Sequence, residues 1–126
     1  MNTKKITILH SNDMHGDFQS ELINKQEFLE GGLSLLSGYI TKVRQQETNV
    51  VYFIAGDMAQ GSLIDSEFQS LSTIELMNYL SPDVVTLGNH EFDYGLAQFF
   101  SLEKLANFPI INANIYIEKF NKRLMK

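Results

Sequence analysis

The sequence predicts an α/β fold with mostly parallel strands and a hairpin near its C-terminal end. Apolar runs rich in β-branched residues occupy residues 6–9, 50–55 and 84–87, and a polar cluster follows each run. Between the runs, apolar residues recur three and four positions apart, which is typical of helices with one buried face. Strands that alternate with such helices indicate a parallel sheet covered by helices.

Size and composition limit the possible functions. The 126 residues, 44% of them hydrophobic, suit one globular domain with a modest core. The chain has no cysteine, so a metal ion would be held by carboxylate, amide or imidazole groups. A net charge of −5 argues against a nucleic-acid polymer as partner. Phosphate esters remain possible substrates if bound cations supply positive charge.

The N-terminal residues show neither the apolar core of a signal peptide nor a stretch that could cross a bilayer. On this sequence we therefore expect a cytoplasmic protein with no membrane partner.

The first half of the chain is predicted to contain two strands and one long helical stretch. We expect a first strand over residues 4–9 and a loop over residues 11–18. Residues 21–47 show a helical pattern that is broken at Gly31-Gly32. A second strand over residues 50–55 ends at Gly56, where glycine permits a sharp turn. Residues 58–62 are expected to form a loop.

The second half is predicted to contain two helices, two strands and the hairpin. Ser72 and Glu75 match a capping box at the start of a helix that ends before Pro82. A third strand over 84–87 is followed by a helical pattern between Leu96 and Leu105 and by a fourth strand over 109–113. Residues 115–117 and 123–125 resemble the two arms of a hairpin.

Polar side chains cluster directly after the first three strands. Open α/β sheets place their chemistry at such positions, where a strand ends and a loop begins. Carboxylate, amide and imidazole groups are ligands of metal ions. Individually, each cluster also fits a simpler role: a polar turn at Asp13 and His15, a helix N-cap at Asp57, or a structural histidine at His90.

Taken in order, Asp13-x-His15, Gly56-Asp57 and Gly88-Asn89-His90-Glu91 resemble the first three signature blocks of the calcineurin-like metallophosphoesterases. Residues 9–16 and 88–95 are similar to the branch of 5′-nucleotidases, UDP-sugar hydrolases and 2′,3′-cyclic-nucleotide phosphodiesterases. The resemblance implies a metallophosphatase β-sandwich flanked by helices. It also implies a nucleotide or other phosphoester substrate and two divalent cations, drawn from Zn²⁺, Mn²⁺, Fe²⁺ and Co²⁺.

The same resemblance implies a role for each matching residue. Asp13 and His15 would hold one metal ion, Asn89 would hold the second, and Asp57 would bridge both. His90 would be catalytic, with Asp93 close enough in sequence to orient its imidazole.

The resemblance also implies that residues 1–126 form only the N-terminal portion of a catalytic domain. The family pattern is completed by later histidine blocks, whereas no histidine follows His90 in this chain. We also expect these residues to lack the separate C-terminal domain of the nucleotidase branch. We therefore expect the isolated chain to be inactive and prone to self-association through uncovered edges. The alternative is a small domain that binds a metal ion, a phosphate group or a partner without catalysis.

Overall fold

The computed structural model describes residues 2–22 and 28–125 and has the predicted α/β architecture. The strands are β1 (Thr7–Ser11), β2 (Glu21–Leu22), β3 (Leu29–Glu30), β4 (Val50–Ile54), β5 (Val84–Val85), β6 (Tyr116–Ile117) and β7 (Lys122–Arg123). The α-helices are α1 (Gly32–Gln46), α2 (Leu63–Glu67), α3 (Leu71–Leu80) and α4 (Gly95–Leu105), and single 3₁₀ turns cover His90–Phe92 and Glu118–Phe120.

A parallel sheet with the strand order β1-β4-β5 forms the centre of the fold. Thr7 lies opposite Val50, and Phe53 lies opposite Val84. All three strands run in one direction, so the loops that carry the three polar clusters leave the sheet at the same edge. The predicted parallel arrangement is confirmed.

Helices α1, α3 and α4 cover one face of this sheet. Tyr52, Ile54 and Val85 are buried beneath them, together with core residues of the helices such as Ile40 and Met77. Burial raises the pKa of Tyr52, whose hydroxyl group also hydrogen-bonds the Ser11 hydroxyl group at 2.7 Å.

The opposite face of the sheet is exposed to solvent along its first strand. Ile6 and Ile8, which alternate with the inward-facing residues of the first strand, are 59% and 62% exposed.

The helical pattern predicted from residue 21 onward is wrong in its first part. Among the residues described there, β2 and β3 form a short antiparallel pair, with Glu21 opposite Glu30; residues 23–27 lie outside the described residues. Helix α1 begins only at Gly32, directly after Gly31, whose φ of 71° is incompatible with a right-handed helix. The two glycines therefore end the hairpin rather than interrupt a helix.

The predicted capping box at Ser72 is also wrong. Helix α3 begins at Leu71, after Ser70, and the Ser72 hydroxyl group donates a hydrogen bond to the Ile64 carbonyl group at 3.2 Å. The short helix α2, which is capped by the side chain of Ser62, was not predicted from the sequence. The hydroxyl groups of Ser70 and Ser72 donate hydrogen bonds to residues of α2, and these contacts set the start of α3.

The fourth strand is reduced to a single bridge between Val85 and Ile110. Pro109 has no N–H to extend the ladder. Just beyond, the Asn112 side-chain oxygen accepts the N–H groups of Asn114 and Ile115, at 3.1 and 2.6 Å, and turns the chain away.

The C-terminal hairpin is confirmed, with Tyr116 opposite Arg123. Within residues 2–22 and 28–125, no helix has both the length and the apolar character required to cross a membrane.

Met77→Ala tests the core of helix α3. The Met77 side chain is fully buried (0% exposed), so its removal should lower the free energy of unfolding by about 2–5 kcal/mol. Tyr79→Ala, on the same helix but 84% exposed, should change it by less than about 0.5 kcal/mol. Urea denaturation followed by circular dichroism measures both values. Equal effects would contradict the described orientation of the helix.

Candidate functional site

The loops after β1 and β4 run side by side and are joined by backbone hydrogen bonds. The Asp13 N–H donates to the Gly56 carbonyl at 3.2 Å, and the His15 N–H donates to the Asp57 carbonyl at 3.0 Å. The parallel pairing thus continues beyond the strands and brings His15 and Asp57 to the same edge of the sheet.

The loops after β4 and β5 approach each other at a pair of glycines. Gly56 has a φ of 91°, and a Cβ atom there would collide with the backbone of Gly88. A Cβ atom on Gly88 would collide with the Asp57 carboxylate. Only glycine allows this spacing, which places Asp57 against the loop that contains His90.

Three candidate residues converge at this point. One ligand atom from each of His15, Asp57 and His90 lies within 4.8 Å of the other two. The two imidazole rings meet edge to face, with centroids 5.0 Å apart. The backbone N–H group of His90 donates a hydrogen bond to Asp57 Oδ1 at 3.1 Å. Donors bound to one tetrahedral Zn²⁺ at about 2.0–2.2 Å lie about 3.3–3.6 Å apart, so neighbouring groups of this cluster could share a cation after moving closer together.

The His15 ring is oriented by a backbone carbonyl group. Its Nδ1 atom lies 3.0 Å from the Gln60 carbonyl oxygen. A carbonyl oxygen only accepts hydrogen bonds, so Nδ1 carries the proton and Nε2 is left as the atom that can bind a cation. Metal-binding histidines are commonly held in this way.

The His90 ring is oriented by a carboxylate. Its Nδ1 atom lies 2.7 Å from Asp93 Oδ2. This hydrogen bond is the main cause that raises the pKa of His90; burial opposes the shift, and the charges of Asp93, Asp57 and Glu91 add to it. The contact between His90 and Asp93, which their proximity in the sequence predicted, is therefore present. It favours the protonated form of the His90 imidazole.

Asp13 lies beside His15, and Asn89 directly precedes His90 in the chain. The Asp13 side chain is 58% exposed, and its Oδ1 atom is 3.8 Å from His15 Nε2. Asn89 is exposed at the start of the 3₁₀ turn, where its carbonyl group accepts the Phe92 N–H at 3.2 Å. The structure thus brings Asp13 next to His15.

Glu91, for which the sequence indicated no role, connects two of the loops. It is 5% exposed. Its Oε1 atom accepts the N–H groups of Met58 (2.8 Å) and Ala59 (3.3 Å), and its Oε2 atom accepts those of Asp57 (3.0 Å) and Gly88 (2.6 Å). The position of this glutamate, in a polar block after a strand, is the signal that could have marked it as a functional candidate. Its backbone partners in the loop after β4 lie more than thirty residues away, and the sequence does not reveal them.

Three candidate ligands have left-handed backbone conformations. The φ angles of Asp13, His15 and Asp57 are 51°, 49° and 51°. Aspartate and histidine enter this region more readily than most residues, although each such conformation costs about 1–3 kcal/mol. The hydrogen bonds between the loops offset this cost.

A cavity of about 620 Å³ borders Asn89. Its wall is mainly apolar and includes Phe92, Leu96, Tyr116 and Leu124. Such a volume and lining suit the organic part of a small ligand.

The sequence and the fold were compared with those of known proteins. The profile of the family described as calcineurin-like phosphoesterase matches residues 6–123. The 5′-nucleotidase of Homo sapiens is 36% identical over 118 aligned residues, which cover 88% of this chain and 20% of that protein. The protein UshA of Escherichia coli (strain K12) is 36% identical over 129 aligned positions, which cover 98% of this chain and 22% of that protein.

Solved structures show the same likeness. The NAD nucleotidase of Haemophilus influenzae matches with a TM-score of 0.80 at 30% identity, covering 92% of this chain and 22% of that one. The calcineurin-like phosphoesterase YfkN of Bacillus subtilis matches with a TM-score of 0.80 at 30% identity, and the match covers 96% of this chain and 40% of that one. The chain spans about a fifth of the length of the curated relatives it matches.

Glu91→Gln tests the contact between the loops. The amide has a single acceptor oxygen for four N–H groups, so some of these donors lose their partner. We expect the free energy of unfolding to fall by about 2–3 kcal/mol. Glu67→Gln, at an exposed position, should change it by less than about 0.5 kcal/mol. Guanidinium denaturation measures both, and equal stabilities would show that the carboxylate is dispensable.

Proposed function

The chain belongs to the calcineurin-like phosphoesterase family, and we propose that it forms part of a 5′-nucleotidase-type enzyme that hydrolyses nucleotides or related phosphoesters. One observation carries the proposal: His15, Asp57 and His90 converge at the carboxyl edge of the parallel sheet. Relatives named 5′-nucleotidase and NAD nucleotidase favour a nucleotide as the substrate.

Four side chains are assigned to two divalent cations, by transfer from the family blocks they match. Asp13 and His15 would hold one cation, Asn89 would hold the other, and Asp57 would contact both. Oxygen and imidazole donors suit Zn²⁺, Mn²⁺, Fe²⁺ and Co²⁺. When bound, such a pair of cations lowers the pKa of a water molecule and neutralises the phosphoryl oxygens.

The catalytic role is assigned to His90 with Asp93. Water attacks phosphorus, the bond from phosphorus to the ester oxygen breaks, and His90 donates a proton to the departing oxygen. The proton that the attacking water loses passes to solvent, and His90 takes up a proton from solvent before the next turnover. The support is that Asp93 holds Nδ1 and raises the pKa of the ring, which leaves Nε2 to carry the transferred proton. The apolar cavity beside Asn89 would receive the organic group of the ester.

We further propose that residues 1–126 correspond to the N-terminal portion of the catalytic domain. The support is that the chain spans about a fifth of its relatives' length and that its three histidines are His10, His15 and His90. The 126 residues alone would then bind cations weakly and leave 5′-AMP essentially unhydrolysed.

Asp57→Asn tests the cation assignment. A neutral side chain that replaces a carboxylate shared by two cations should cost more metal content and activity than any other single ligand change. Metal analysis and 5′-AMP hydrolysis are measured on the chain with any sequence that continues it in its source. Asp17→Asn, an exposed aspartate of the first loop, is the control. A fully active Asp57→Asn protein would eliminate the shared ligand.

His90→Ala separates a catalytic role from a ligand role. Loss of a proton donor should lower turnover by about 10²–10⁴-fold while the metal content stays nearly unchanged. The same preparation is used, with metal analysis beside the kinetic assay. If the metal ions are lost with the ring, His90 is a ligand and another group supplies the proton.

A further inference from the structure

A second carboxylate, that of Asp65 in helix α2, is completely buried (0% exposed). Its Oδ2 atom accepts the Gln60 N–H at 2.7 Å and the Ser70 hydroxyl group at 3.2 Å, and its Oδ1 atom accepts the Thr73 hydroxyl group. All three donors are neutral. A buried carboxylate is costly unless its hydrogen bonds are satisfied, and these three donors satisfy both oxygens of Asp65.

The contact between Asp65 and Gln60 leads directly to the candidate site. Gln60 has a left-handed backbone, with a φ of 64°. Its N–H donates to Asp65, and its carbonyl oxygen accepts Nδ1–H of His15. Gln60 thus links the buried Asp65 carboxylate to the His15 ring through two hydrogen bonds.

Close packing leaves this segment little freedom. A Cβ atom on Gly61 would collide with the His15 carbonyl group, and one on Gly16 would collide with Asp65. The turn that contains Gln60 therefore packs directly against the backbone and Cβ atom of His15.

We infer that Asp65 is a positioning residue for His15. By fixing Gln60, it maintains the Nδ1-protonated form of the imidazole and presents Nε2 for a cation. The tautomer of a histidine is set by the hydrogen bond that its other nitrogen makes. The last step, presentation of Nε2 to a cation, rests on the proposed function; the tautomer itself does not.

Three variants of the 126-residue chain test the inference. Asp65→Ala removes the acceptor. Asp65→Asn can keep its oxygen toward the Gln60 N–H while its NH₂ group faces the Thr73 hydroxyl oxygen, so it is the conservative rescue. Thr73→Val is the matched control, because it removes a hydrogen bond from the same carboxylate on the oxygen that Gln60 does not use.

Nitrogen-15 NMR of the His15 ring without metal is the primary measurement. The wild type, Asp65→Asn and Thr73→Val should show the Nδ1-protonated ring, and Asp65→Ala should show a large Nε2-protonated fraction. Titration with Zn²⁺ should then show affinity lowered about 10-fold for Asp65→Ala alone.

The inference is overturned if Asp65→Ala keeps the wild-type tautomer, or if Thr73→Val changes it equally. Should Asp65→Ala not fold, the wild type decides: an Nε2-protonated His15 overturns the inference, and an Nδ1-protonated ring with a strongly protected Gln60 amide supports it. A tautomer that responds as expected in a chain that binds no Zn²⁺ would count against cation binding by these 126 residues and leave the positioning role intact.

Discussion

Four backbone N–H groups from two loops donate to the buried carboxylate of Glu91. Glu91 itself lies in the loop after β5. Its hydrogen bonds therefore hold that loop against the loop after β4 and fix the position of Asp57 relative to His90. Charged acceptors make stronger hydrogen bonds than neutral ones, and the partners offset the cost of burying the charge. The parallel sheet brings the loops to one edge, but this carboxylate sets the distance between them.

The two imidazoles of the site are oriented by chemically different groups. A neutral carbonyl group holds His15, and the carboxylate of Asp93 holds His90 and raises its pKa. The first environment suits a ring that binds a cation, and the second suits a ring that carries a proton. Rings only 5.0 Å apart are therefore differentiated by their second hydrogen bond, in agreement with the roles proposed from the family blocks.

The sequence predicted the parts of the fold that depend on local pattern. The β-branched runs located β1, β4 and β5, and the polar clusters that follow them contain His15, Asp57 and His90. Family membership and the metallophosphatase fold class are confirmed by the likeness to known structures.

Contacts distant in sequence decided the remaining features. Ser72 bonds Ile64 instead of capping its own helix, Pro109 prevents a full fourth strand, and Glu21 pairs with Glu30 in a hairpin. All four partners of Glu91 are backbone N–H groups, so no residue type identified them beforehand. Two of the three partners of Asp65 are the hydroxyl groups of Ser70 and Thr73, residue types that are common on any surface loop or helix. The left-handed backbone at Asp13, His15 and Asp57 also limits how the site can change during evolution. Bulky and β-branched side chains are strained there, whereas glycine, asparagine, aspartate and histidine are tolerated. Three of these four are oxygen or nitrogen donors, so the backbone admits mainly replacements that still bind cations, and metal preference can drift while the fold persists.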